Sequence, residues 1–185
     1  MLQFVTGNTR KYEEMKGMLD IPFEQHDIDL PEPQSLSAEE IIREKLRAAE
    51  MYAEGEYFVE DTSLYFDCFR GMLPGPLVKW FLEVLRPEGL ADLVARMGTN
   101  TCVARTLIGY LNAEGEIAIF EGTQKGIIVS PRGTLDFGWG PVFQPEGETR
   151  TFGEMERSEK FRTSMRAFAA RRFSDYYMRT TKRPA

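Results

Sequence analysis

Four short segments of this sequence carry residue types that could handle a polyphosphate. The first is Thr6-Gly7-Asn8-Thr9-Arg10-Lys11, between an apolar stretch and a helical pattern. With Asn8 as N-cap, Lys11 falls in the first helical turn, where partial positive charge already gathers and a cation is unfavourable. Free backbone N–H groups, a flexible glycine and a lysine would together suit a phosphate chain. An ordinary strand–helix turn with a solvated lysine explains the same spacing. The second segment is Glu60-Asp61-Thr62, at the end of the apolar run Tyr57-Phe58-Val59. Carboxylates at strand ends suit Mg²⁺, which prefers oxygen ligands and keeps waters and substrate oxygens around it. Glu32, in Asp29-Leu30-Pro31-Glu32-Pro33, could add a distant second carboxylate, although a loop glutamate between prolines is more often solvated.

The third candidate is a pair of lysines, Lys45 beside a helical apolar stripe and Lys79 after Pro76; taken singly, each also reads as a snorkelling lysine. The fourth is Phe137-Gly138-Trp139-Gly140-Pro141, followed by Phe143, Pro145 and Gly147. Aromatic rings among glycines can stack a base while the backbone bonds its edge; a packed turn with core aromatics is the competing reading. His26 is solitary and reads as surface decoration. Ser130, Ser158 and Ser164 lack a histidine base for nucleophilic catalysis, and Arg171-Arg172 and Lys182-Arg183 read as solvated charges.

The elements that must position these residues follow from periodicity. Leu2 to Val5 reads as a buried strand, followed by a helix carrying Tyr12, Met15, Met18 and Leu19 on one side. Ser37 and Glu40 form a capping-box pattern ahead of Ile42, Leu46, Ala49 and Ala53. Tyr57-Phe58-Val59 predicts a strand ending at the acids. Pro76 is suited to the first position of a helix from Leu77 to Leu85, and Glu88 to Met97 predicts another. Cys102 to Leu111 and Ile117 to Phe120 are β-rich around a hairpin connection, with a separate strand at Ile127 to Val129. A last helix is predicted from Lys160 to Met178. Helices interspersed with strands give an α/β class with a central sheet, and residues 1–185 read as one domain.

The apolar share of 42% is enough for a sizeable core, and no window reaches the ~18 apolar residues of a membrane span. The N-terminus lacks a signal peptide's basic region. Cys68 and Cys102 form no disulfide framework, which predicts a cytoplasmic protein with reduced thiols. With 23 Lys plus Arg against 29 Asp plus Glu, the net charge is -6, which argues against non-specific nucleic-acid binding. A few local cations can still define a pocket for a small phosphorylated ligand.

In order along nearly the whole chain, these segments resemble the inosine triphosphate pyrophosphatase (Ham1-like) family. The resemblance runs through Thr6-Gly7-Asn8 with Lys11, Asp29-Leu30-Pro31-Glu32, Val59-Glu60-Asp61-Thr62, and Leu73-Pro74-Gly75-Pro76 with Lys79-Trp80-Phe81. It continues through Ser130-Pro131-Arg132-Gly133, Phe137-Gly138-Trp139, Thr151-Phe152 with Glu154-Met155, and Glu159-Lys160. It implies an elongated, two-lobed mixed α/β fold around a central mixed sheet, with a homodimer as the usual assembly. It implies hydrolysis of (deoxy)inosine and xanthosine triphosphates to monophosphate and pyrophosphate, a nucleotide-pool sanitation reaction. Mg²⁺, with Mn²⁺ as a substitute, would sit near Glu32 and Asp61, and Asp61 would help deprotonate the attacking water. Thr6, Gly7, Asn8, Lys11, Lys45, Thr62 and Lys79 would hold the triphosphate. Phe137, Gly138, Trp139, Gly140, Lys160, Met165 and Arg166 would surround the base and nucleoside.

Two departures fall on the base side. The family usually has an aspartate after Phe-Gly-Trp, where this chain has Gly140, and Ser-His-Arg where this chain has Ser164-Met165-Arg166. Base preference is therefore expected to be altered or relaxed, and restoring Asp at 140 and His at 165 is expected to sharpen it. The rival readings are the same reaction on a different purine nucleotide and a catalytically silent nucleotide-binding protein on this scaffold. A Maf-like enzyme for modified pyrimidines ranks below them, because that family's Ser- and Arg-rich opening motif is missing.

Overall fold

A computed structural model describes residues 1–181; Lys182 and Arg183 lie outside the described residues. The chain order is β1 (Leu2–Val5), α1 (Thr9–Met18), β2 (Phe23–His26), α2 (Ala38–Ala49), β3 (Tyr57–Phe66), β4 (Pro74–Gly75), α3 (Val78–Arg96), β5 (Thr101–Leu111), β6 (Ile117–Ile128), β7 (Phe143–Pro145), α4 (Arg157–Thr163) and α5 (Met165–Thr181). One mixed sheet runs β2-β1-β3-β5-β6-β7, with β4 pairing on β3. β1 is parallel to β2 and β3, and the long β3, β5 and β6 are mutually antiparallel. No helix among the described residues is long and apolar enough to cross a membrane.

Strand alternation on β3 organises the molecule. Successive side chains point to opposite faces. Tyr57 and Val59 face α2, where they pack with Leu107, Ile42, Leu46 and Ala49. Phe58 faces α1 and α5, stacking on Phe4 at 4.5 Å between ring centres and packing against Phe173. Further along that same face, Leu64 and Phe66 enter a different cluster with Leu90, Val94, Phe143 and Phe152. Each such buried side chain contributes roughly 1.5–3 kcal/mol by leaving water. Between the two apolar clusters on that face lie Glu60 and Thr62. Asp61 faces the α2 side.

Several boundaries differ from the sequence expectation. The acids do not end a strand, because β3 continues to Phe66 and pairs with β5 along its whole length, Glu60 opposite Ile108 and Thr62 opposite Thr106. Likewise Ile117–Phe120 and the stretch at Ile127 are one strand, β6, held together by continuous pairing with β5. Pro76 precedes α3 rather than opening it, with Leu77 as N-cap. The two helices expected between Leu77 and Met97 meet at Arg86 (φ 57°, ψ 174°), a left-handed break just before Pro87. Proline disfavours helical backbone in the residue before it, which accounts for the break's position.

The last helix is two. Ser164 ends α4 in an extended conformation, and its Oγ accepts a hydrogen bond from the Ala167 N–H, so it caps α5. α5 then packs closely on β6, where a Cβ at Gly122 would stand 1.9 Å from the Met165 carbonyl oxygen. The capping box at α2 is half formed. Ser37 Oγ accepts from the Glu40 N–H, but the Glu40 carboxylate accepts from Ser35 Oγ. His26 is half-buried and not decorative, its Nδ1 lying 2.9 Å from Gln3 Oε1. Arg171 and Arg172 are tethered to the Arg162 and Glu121 carbonyls.

Candidate functional site

The fold draws every sequence-predicted site residue to the wall of one cavity of about 290 Å³. Thr6, Gly7 and Asn8 arrive at the end of β1, and Asn8 caps α1 by accepting the Lys11 N–H at 3.1 Å. That cap sets Lys11 in the first turn, and its ammonium lies 2.8 Å from Glu60 Oε2, a close ionic contact off the hydrogen-bonding direction. Lys45 reaches in from α2. Lys79, in the first turn of α3, is exposed and makes no ion pair among the described residues.

At this end of the cavity one ammonium serves two carboxylates. Lys45 Nζ stands 2.6 Å from Glu32 Oε1 and 3.4 Å from Asp61 Oδ1, and also donates to the Glu60 carbonyl at 3.2 Å. Burial lowers the Lys45 ammonium, but Asp61 and Glu32 outweigh it and leave the pKa raised. Burial raises the Glu32 carboxyl, yet Lys45, then Lys11 and Lys79, bring it below the ordinary carboxylate range. Glu32 and Asp61 thus offer hard oxygen donors around a point already taken by a cation. Among the described residues no cluster of three or more His, Cys, Asp and Glu forms an all-protein cage. Two carboxylates on the wall of an open cavity fit Mg²⁺, which leaves much of its shell to water and substrate oxygens.

The other end is a closed ionic network. Arg166 is buried in the first turn of α5 and pairs with Glu60 Oε1 at 3.2 Å and with Glu14 Oε2. Lys160, buried in α4, donates to Glu14 Oε1 at 2.6 Å and Asp136 Oδ1 at 2.7 Å. Thr62 Oγ1 joins Glu60, Thr106 and Arg166. Burial raises the Glu60 carboxyl, but Arg166 and Lys11 overcome that and hold it far below its usual range. Glu14 is lowered in the same way by Arg166 and Lys160. Such buried charges survive because each is paired; an unpaired one would be costly.

The aromatic turn divides its roles. Trp139 lines the cavity but packs its ring on Phe143 and Phe152. Phe137 is half-buried between Arg10 (5.6 Å from its ring centre) and Lys160 (5.4 Å). Met165 is buried in the wall. Sequence reasoning missed Glu14 and Asp136 and read Glu60 only as one of the acids suited to a metal, whereas it pairs with Lys11 and Arg166. Glu14 sits on a helix face that reads as ordinary, and its partners lie 146 and 152 positions away. Asp136 adjoins the Phe137 motif, the one signal that could have drawn attention to it.

The model of the Ham1 family matches residues 2–176. The chain is 42% identical over 176 residues to an inosine triphosphate pyrophosphatase of Schizosaccharomyces pombe, covering 94% of this chain and 93% of that protein. A HAM1 protein from Coxiella burnetii superposes with a TM-score of 0.81 at 22% identity, over 97% of this chain and 100% of that one. The Staphylococcus aureus Ham1 protein gives 0.74 at 19% identity, over 96% and 99%. At such identities these two structures speak to the fold, a mixed α/β architecture around a central mixed sheet.

Proposed function

Since the chain belongs to the Ham1 family, we propose that it hydrolyses inosine and deoxyinosine triphosphates, and xanthosine triphosphate, to monophosphate and pyrophosphate, clearing non-standard purines from the nucleotide pool. The observation that carries this reading is a single cavity with three lysines, Lys11, Lys45 and Lys79, at one end and a satisfied polar network beside an aromatic ring at the other. The first end suits a triphosphate and the second a base.

The α1 N-terminus, Thr6 and the three lysines bind the polyphosphate and offset the charge that grows on departing pyrophosphate. Asp61 orients water toward the α-phosphorus and takes its proton. Water attacks the α-phosphorus in line, and no covalent enzyme intermediate is needed. Held by Glu32 and Asp61, a divalent ion, Mg²⁺ or in its place Mn²⁺, would supply neutralisation of phosphate oxygens. The same reading carries a homodimer, to be checked by sedimentation, and a cytoplasmic location, with which the free thiols of Cys68 and Cys102 accord.

A triphosphate panel with product analysis tests the reaction. Pyrophosphate release, fastest from inosine or deoxyinosine triphosphate and abolished by chelator, is the expected result. Release of phosphate alone, or tight binding with no turnover, would overturn it in favour of a different or silent site. Gly140 and Met165 favour one second reading: a different purine turned over best by the same chemistry.

A further inference from the structure

Residue 140 has no side chain, yet the space its side chain would fill is occupied. Gly140 is buried, and a Cβ built on it would stand 2.1 Å from Asp136 Oδ2, 2.5 Å from its Cγ and 2.7 Å from its Cβ. The turn that makes this possible is short. The Gly140 N–H donates to the Phe137 carbonyl at 3.1 Å, and Gly138 takes a positive φ of 61°, which folds residue 136 back against residue 140. The Asp136 side chain is itself 7% exposed and faces the cavity. Its Oδ1 accepts from Lys160 Nζ at 2.7 Å, while Oδ2 makes no hydrogen bond among the described residues.

The geometry points to Asp136 as the specificity-determining residue of this site, delivering from four positions upstream a carboxylate that residue 140 does not provide. This rests on the reading of that end as the base pocket. Lys160 has three N–H donors, of which Glu14 and Asp136 take two. In this assignment the third N–H and the free Asp136 Oδ2 present the base with a donor next to an acceptor. A 6-oxopurine presents the matching edge, a carbonyl oxygen beside a ring N–H. Adenine presents the reverse, an amino group beside a bare ring nitrogen, so that both contacts would fail. Buried polar groups left unpaired by the wrong ligand are a strong source of discrimination. Asp136 also positions Lys160, since that ammonium is held from both sides. Gly140 is part of the same device: any side chain there evicts the Asp136 carboxylate. On this assignment an aspartate placed at 140 displaces Asp136 and does not by itself sharpen selectivity.

The test is the ratio of kcat/KM for inosine triphosphate over ATP in wild type, Asp136→Asn, Asp136→Ala, Gly140→Ala, Gly140→Asp and the double variant Asp136→Ala/Gly140→Asp. Asp136→Asn and Asp136→Ala should lower the ratio roughly tenfold or more, the scale of losing a base-edge contact. Gly140→Ala should do the same although alanine adds only a methyl, and Gly140→Asp alone should be no better. The double variant should recover selectivity, because a carboxylate returns to the vacated volume. Asp136→Asn, nearly isosteric, guards against a folding defect in the alanine variant. Equal losses of turnover on both triphosphates, leaving the Asp136→Asn ratio at the wild-type value, would overturn the assignment while the base-pocket reading stood. A wild type that shows no preference for 6-oxopurines would overturn both.

Discussion

The two ends of the cavity solve opposite problems. At the base end every buried cation is gripped by two carboxylates, Lys160 by Glu14 and Asp136, and Arg166 by Glu14 and Glu60. At the phosphate end Glu32 and Asp61 have one ammonium, Lys45, between them, whereas Glu14 and Glu60 each meet two cations, and Lys79 stands exposed. The first arrangement holds its charges in place before any ligand arrives and leaves Asp136 Oδ2 open, the condition under which polar groups discriminate best. The second gives two acids one ammonium between them and leaves Lys79 without a carboxylate among the described residues, charges that the proposed function pairs with a metal ion and a polyphosphate. Variants at the base end should therefore cost folding first, and variants at the phosphate end should cost turnover first.

The largest expected effect is at Asp61. Asp61→Asn keeps the shape and removes the base, and should lower kcat by about 10²–10⁴-fold, the usual contribution of a positioned base. The melting temperature should stay near that of the wild type. A variant that turns over normally would remove Asp61 from the chemistry and the contrast with it. Next comes Arg166→Met, which removes the buried cation shared by Glu60 and Glu14 and leaves each with one cationic partner, Lys11 and Lys160 respectively. Losing one partner of a buried pair typically costs about 3–5 kcal/mol, and urea unfolding should show it. Wild-type stability in that variant would mean the base end is no structural network. Lys11→Met sharpens the comparison from the other side. Its side chain is partly exposed and Glu60 retains Arg166, so stability should fall less than in Arg166→Met. KM for inosine triphosphate should rise roughly 10- to 100-fold, as expected for one charged contact worth about 1.5–3 kcal/mol. An unchanged KM would place the triphosphate elsewhere.

The same division governs what could be read in advance. At the phosphate end only part was legible locally, since Asn8 caps Lys11 three residues on and the acids interrupt a conspicuous apolar run. Glu32, Lys45 and Lys79 come from separate elements and stood out only through the ordered family resemblance. The length of β3 was not legible, since Glu60 and Asp61 look like a strand's end until β5 is seen pairing across them. The polar run Glu121 to Gly126 hid the middle of β6 in the same way. The break at Ser164 was concealed by helix-forming residues on both sides and exists because a serine cap starts α5 there. Least legible was the base-end network, whose partners come from α1, β3, α4, α5 and the residue before Phe137. Pairings over such separations have no periodicity, and only the fold brings them together.

The smallest effect separates the two ends by pH. Burial raises Glu14, but Arg166 and Lys160 more than compensate, so its folded pKa lies below the ordinary value. A carboxyl lowered in this way stabilises the fold above its unfolded-chain pKa of about 4.3, and that contribution drains away as pH falls through the folded value. Glu32 is lowered too, with Lys45 overcoming burial, but its side chain is 44% exposed and solvent screens much of what it contributes. Acidification from about pH 5 to about pH 3.5, across that unfolded-chain value, should therefore lower the urea midpoint of the wild type. Glu14→Gln should flatten that slope and Glu32→Gln should leave it nearly intact, even though Glu32→Gln is the variant that damages turnover. Parallel slopes in Glu14→Gln and wild type, or a flattened slope in Glu32→Gln, would mean that the acid-sensitive charges are not those of the base end.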